Sequence, residues 1–248
     1  MFPLRDENPT TLRPFVTFAI IAANVAVWLL LQSGGLGEAF LDSLCSYGSI
    51  PGELTGGLTS GDTVELGDYE CTIGGAKWAT LATSMFMHGG WGHLIGNMWF
   101  MWVFGNNIED SMGHGRFVLF YLLCGLVAAA AHVATVPGSP VPVVGASGAI
   151  SGVMGAYLIQ YPRVRIYTWV IFFIVALPAW VMLGYWFIVQ LLMGSTDGGA
   201  GGGVAFMAHV GGFAAGLLLM KPFERRDMVE ARLSGPKLAA DQLFRRTR

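Results

Sequence analysis

Charge is missing from long stretches of this chain, and nothing else in the sequence limits its fold so strongly. A helix needs about 20 apolar residues to cross the hydrocarbon core of a bilayer. Six uncharged stretches approach or exceed that length, near residues 15–31, 93–107, 117–136, 144–161, 166–193 and 203–220. Composition agrees: 12% of the 248 residues are charged, against about 25% in a soluble globular protein, and the mean hydropathy is +0.56. The expected fold class is therefore all-α, a polytopic membrane protein built as a six-transmembrane-helix bundle. A formal net charge of -2 offers no basic footprint, so nucleic acid is not an expected partner, whereas the lipid bilayer is. The 3 cysteines are too few for a disulfide scaffold. The 35 glycines follow no period of three, which excludes collagen and leaves close helix packing in lipid as their use.

Lysine and arginine accumulate on the cytoplasmic side of membrane proteins. With six crossings and the N-terminus inside, all 14 Lys and Arg residues except Lys77 fall on the inner face. This predicts a multi-pass cell-membrane protein with cytoplasmic N- and C-termini. Its parts are a cytoplasmic N-terminus over 1–14, a membrane domain over 15–220 and a basic tail over 221–248. The apolar run at 15–31 exceeds the roughly 7–15-residue core of a cleaved signal peptide, so it is read as a span. The first outer loop, about 32–77, is long and acidic, and long ordered loops are usually functional. Cys45 and Cys71 both lie in it, on the face where disulfides persist, and a bridge or two free thiols are both open. Cys124, inside the third span, reads as a packing residue.

Ionisable groups within a bilayer are expensive, so each is a candidate functional group. His209 lies in the sixth stretch with no charged neighbour. His93 and Asn97 open the second stretch four residues apart, on one helix face, with His88 just before them. His114 and His132 show no polar companion in sequence and read as incidental. The fourth stretch carries Ser147 and Ser151 on glycine-dense helix. Gly148, Gly152 and Ala156 place a small residue every fourth position there, and Ala208, Gly212 and Gly216 do the same in the sixth. Such stripes let backbones approach closely. Ser147 and His209 each adjoin a stripe, so a hydrogen bond between them is permitted.

A serine hydroxyl becomes a useful nucleophile when a neutral histidine takes its proton. Acyl transfer also needs donors for the developing oxyanion, which Asn97, a His93 ring N–H and a backbone N–H at the start of the fourth helix can supply. No carboxylate lies at a depth where it could orient His209, so a Ser-His dyad fits better than a triad. Rival chemistries lack their residues. There is no His-Glu-x-x-His string for a zinc protease, and no metal or other cofactor is expected, although His88, His93 and His209 are the three histidines that could in principle gather one. The Gly-Asp pairs at 61–62 and 67–68 lie in the outer loop rather than in spans, and Gly145-Ala-Ser-Gly-Ala149 lacks the last glycine of a soluble hydrolase elbow. No internal repeat of the kind found in transporters is visible.

These residues resemble the rhomboid family of intramembrane serine proteases. Gly145-Ala146-Ser147-Gly148 is similar to its G-x-S-G, Ala208-His209 with Gly212 and Gly216 to its A-H-x-x-G-x-x-x-G, and His88, His93 and Asn97 to its H-x-x-x-x-H-x-x-x-N. Weaker echoes are residues 13–17 with Asn24, the run 105–109, and Trp186 with Gln190. The resemblance implies a six-helix serine endopeptidase with Ser147 as nucleophile and His209 as base. It further implies oxyanion binding by His93, Asn97 and the Ser147 N–H, a supporting role for His88, and transmembrane proteins as substrates. The alternative within the same superfamily is an inactive protein that binds membrane helices. The chain departs from the family pattern where Ala79 follows Trp78 in place of arginine, and where Ser151 stands four residues after the nucleophile in place of an aromatic. The glycine-rich stretch 194–203 is open to two readings, a lid over the site or only a linker, with the lid favoured.

Overall fold

The computed structural model describes residues 1–67, 69–75, 77–196 and 205–234. Strand β1 (Phe2–Asp6) leads to α1 (Phe15–Ala26), which widens into a π-helical stretch at Val27–Leu31. The outer loop holds α2 (Gly37–Tyr47), α3 (Pro51–Thr55) and the hairpin of β2 (Thr63–Leu66) and β3 (Tyr69–Thr72). After α4 (Thr80–Thr83) come α5 (Trp91–Met112), α6 (His114–Thr135) and α7 (Ser147–Gln160). A second hairpin, β4 (Arg165–Val170) and β5 (Phe173–Pro178), precedes α8 (Ala179–Thr196), α9 (Phe206–Phe223) and α10 (Arg226–Ser234). Each of the six expected stretches contains helix, and among the described residues α6 and α9 are long and apolar enough by themselves to cross a bilayer.

The all-α expectation needs correcting, because the bundle carries two small sheets. The fifth stretch was expected to be helical from residue 166, yet helix begins only at Ala179. Residues 166–178 belong instead to a hairpin whose strand β4 pairs antiparallel with both β5 and β1. The reason is local. Ile166-Tyr-Thr-Trp-Val170 and Phe173-Ile-Val175 are β-branched and aromatic, which suits a pleated surface. Pro178 favours extended backbone before it and a helix start after it.

The outer loop is a folded unit of its own. Cys45 and Cys71 form a disulfide that ties α2 to β3, over a small core of Ile50, Val64 and Ile73. Several contacts among the described residues fasten this unit to the bundle. The Gln32 amide bonds both the N–H and the carbonyl of His88, each at 2.8 Å. Ser49 and Val143 exchange backbone hydrogen bonds at 3.0 and 2.8 Å, and the Thr83 hydroxyl donates to the Tyr47 carbonyl at 2.8 Å. They anchor the loop although Ala79 offers no guanidinium.

At the opposite end of the bundle, two carboxylates buried on α5 grip the start of the chain. Glu109 accepts from the Val16 and Thr17 N–H groups at 2.9 and 2.8 Å and from the Thr17 hydroxyl, replacing a cap that α1 lacks. Asp110 accepts from Leu12 N–H at 2.6 Å and from Thr11. Charge-assisted bonds of this kind contribute about 1.5–3 kcal/mol each. His114, which sequence left without a companion, bonds Glu109 through Nδ1.

The core is closed by glycine. A Cβ at Gly212 would overlap the Gly148 carbonyl oxygen, and one at Gly216 would overlap that of Gly152. α7 and α9 therefore touch backbone to backbone, as small-residue stripes permit. On the other side of α7, Gly152 lies against the buried Cys124 of α6. Gly216→Val is expected to lose about 1–3 kcal/mol or more from overpacking and to melt earlier in detergent. Gly96→Ala, on a position with open space around it, should leave the melting temperature unchanged. For the outer unit, replacing Cys45 and Cys71 by serine frees a closed loop with a sequence separation of 26. The chain-entropy cost is about 3–4 kcal/mol, so limited proteolysis near residues 56–61 is expected to accelerate in the double variant while the bundle stays intact.

Candidate active site

Ser147 is the first residue of α7, where N–H groups have no acceptor within the helix. Its Oγ lies 2.7 Å from His209 Nε2 on α9. The pair is brought together by the backbone contact one residue away on the serine side, at Gly148, which meets Gly212 of α9 and also faces Ala128 of α6. Ser151, one turn on, donates its hydroxyl back to the Ser147 carbonyl at 2.6 Å and so leaves His209 alone. The imidazole is framed instead by α8. Gln190 Oε1 is 2.7 Å from His209 Nδ1, and the Trp186 ring is 5.9 Å from the imidazole, centroid to centroid. His132 on α6 is close enough to act on His209 electrostatically, which sequence did not reveal.

His93 reaches the same place from α5. Gly145 has a φ of +129°, a conformation that favours glycine. A Cβ there would sit 2.8 Å from His93 Nε2 and 3.4 Å from Ser147 Oγ. The missing side chain is what lets the His93 ring lie over the segment that leads into Ser147. That segment is fixed by the Gly145 N–H donating to the Ser84 carbonyl at 2.9 Å and by the Ser49–Val143 bridge. The Gly89 N–H donates to His93 Nδ1 at 3.3 Å, which leaves the ring proton on Nε2. Asn97 follows one turn later on the same helix face, and its Nδ2 is buried without a hydrogen-bond partner among the described residues. His88 is fully buried, and its ring meets His93 edge-on at 5.1 Å between centroids.

The site thus gathers a hydroxyl with a proton acceptor and, on the facing helix, two side-chain donors. Such an arrangement can do acyl transfer. Sequence reasoning named Ser147, His209, His93, Asn97, His88, Gly145, Gly148 and Gly212 as members. It did not give Gln190 a role; the signal available was an amide four residues after Trp186 in an otherwise apolar stretch. The expected lid at 194–203 lies outside the described residues from 197 onward.

Comparison with known proteins covers this region. The rhomboid-domain family model matches residues 75–226, which takes in every site residue named above and leaves out most of the disulfide-bonded outer unit. The rhomboid protease GluP of Bacillus subtilis is 31% identical over 146 residues, 59% of this chain but only 24% of GluP. A second protein of that organism carrying the rhomboid protease name, YdcA, is 31% identical over 158 residues, 62% of this chain and 68% of YdcA. RHOMBOID-like protein 6 of Arabidopsis thaliana, named as mitochondrial, is 28% identical over 237 residues, 88% of this chain and 73% of that protein. A match over more than half of the chain, with the site inside it, establishes that this membrane helical bundle belongs to the rhomboid family.

Proposed function

We propose that this chain is an intramembrane serine endopeptidase that cuts transmembrane segments of other membrane proteins with a Ser-His dyad. The observation that carries the reading is the 2.7 Å contact between Ser147 Oγ and His209 Nε2 on two helices in backbone contact. As Ser147 Oγ bonds to the scissile carbonyl carbon, its proton passes to His209 and the carbonyl electrons move onto oxygen. His93 Nε2–H, Asn97 Nδ2–H and the Ser147 N–H are the donors for that oxyanion. His209 then gives the proton to the leaving amine, the C–N bond breaks, and an acyl-enzyme remains. Water, deprotonated by His209, attacks the ester and frees the carboxylic acid and Ser147. An inactive helix-binding member of the family would have no use for a proton acceptor on Ser147, and the presence of both groups favours the enzyme.

All six apolar helices are taken to cross the bilayer of the cell membrane within a domain over 15–220, with both termini cytoplasmic. With its 14 residues, α7 is about 21 Å long, short of the roughly 30 Å hydrocarbon core. Ser147 then opens below the outer surface, where a substrate helix with small or helix-destabilising residues near its outer end could unwind to meet it.

Purified protein reconstituted with a single-span membrane protein of that kind tests the reading. Ser147→Ala and His209→Ala are each expected to lower cleavage at least about 1000-fold; equal cleavage by all three proteins would sink it. The donor assignments make a separate prediction. Asn97→Ala should lower kcat by about 100–1000-fold with little change in KM, and Gly145→Ala, which drives a methyl into His93, should do the same. Full activity in either variant would remove that donor from the mechanism.

A further inference from the structure

We infer that Gln190 is a positioning residue for His209, so that the dyad works as a Ser147–His209–Gln190 relay with an amide where soluble serine hydrolases use a carboxylate. The inference rests on the dyad reading above and extends it. Gln190 is nearly buried, at 9% exposure, and its Oε1 meets His209 Nδ1 at 2.7 Å. An amide oxygen only accepts, so Nδ1 must donate, and the Nε2 lone pair is then free to take the Ser147 proton. Ser151 is committed to the Ser147 carbonyl and supplies nothing to Nδ1.

The rest of α8 holds the amide in place. Trp186 lies one turn before Gln190 on the same helix face, 5.9 Å from both the His209 and Phe213 rings, and Phe187 stacks on Phe213 at 4.7 Å. A neutral amide also suits the setting, because a carboxylate buried at this depth would be costly. Its oxygen still faces the positive charge that His209 gains when it is protonated. Among the described residues, the ionisable groups acting on His209 are His93 of α5 and His132 of α6.

The rate at which a fluorophosphonate labels Ser147, followed across pH on the purified protein, tests this role without a natural substrate. In labelling, Ser147 Oγ bonds to phosphorus, fluoride leaves, and the proton passes to His209. Gln190→Leu removes the acceptor and keeps the bulk; it is expected to slow labelling by about 10–100-fold at an unchanged melting temperature. Gln190→Glu sets a carboxylate against Nδ1–H. This favours the imidazolium, so the rising limb of the rate profile should move to higher pH by about 1–3 pH units. A purely structural residue would not move that limb. Wild-type rates in Gln190→Leu, or a Gln190→Glu profile that superimposes on wild type, overturn the role of Gln190 and leave the dyad standing. Failure of the wild type to label at Ser147 overturns the dyad reading itself.

Discussion

The backbone contact between α7 and α9 is the constraint on which the other features depend. Helices in lipid gain little by hiding apolar side chains from each other, since the acyl chains are as apolar as they are. They associate where small residues let dispersion and weak Cα–H···O contacts act at short range. Here Gly212 sits on the Gly148 carbonyl and Gly216 on that of Gly152. Serine is a short side chain, and the 2.7 Å contact from Ser147 to His209 lies well inside hydrogen-bond range. A methyl group placed between the two backbones would separate the axes by an ångström or more and carry the pair beyond about 3.2 Å. The stripe that packs the helices is therefore also what sets the reach of the hydroxyl.

Polarity is distributed unevenly along the bundle, and the cost of burying charge explains the pattern. At the end where the chain enters α1, buried Glu109 and Asp110 are saturated by backbone N–H groups, hydroxyls and His114. Around Ser147 every described hydrogen-bonding side chain is neutral or an imidazole: Ser151, Asn97, Gln190, His93 and His209. A buried ion without full compensation costs several kcal/mol, and a reacting site cannot be fully compensated before its charge appears. On the proposed mechanism, neutral donors and an amide acceptor would meet that charge without the cost of a buried ion in the resting state.

The parts legible in sequence are those where rarity or period carried the message. Intramembrane histidines are few, so His209 and His93 stood out, and the four-residue recurrence of small residues marked the faces of α7 and α9. Three features were hidden for physical reasons. The apolar run at 166–178 has the composition of a strand or of a buried helix, and of the two neighbours of β4 only β5 is local, whereas β1 lies about 160 residues away. The Cys45–Cys71 pairing depends on how α2 and β3 pack, which spacing does not encode. Gln190 carries no charge and sits in an apolar stretch, so its importance appears only once α8 is seen against α9.

The central claim is that Ser147, His209, His93 and Asn97 form one reacting centre. A structure of the protein in a lipid nanodisc, determined after reaction with a fluorophosphonate, tests it most directly. The account predicts a phosphonyl group on Ser147 Oγ with its anionic oxygen within about 3.2 Å of His93 Nε2, Asn97 Nδ2 and the Ser147 N–H. An adduct on another residue, or a phosphonyl oxygen turned away from all three donors, would contradict it.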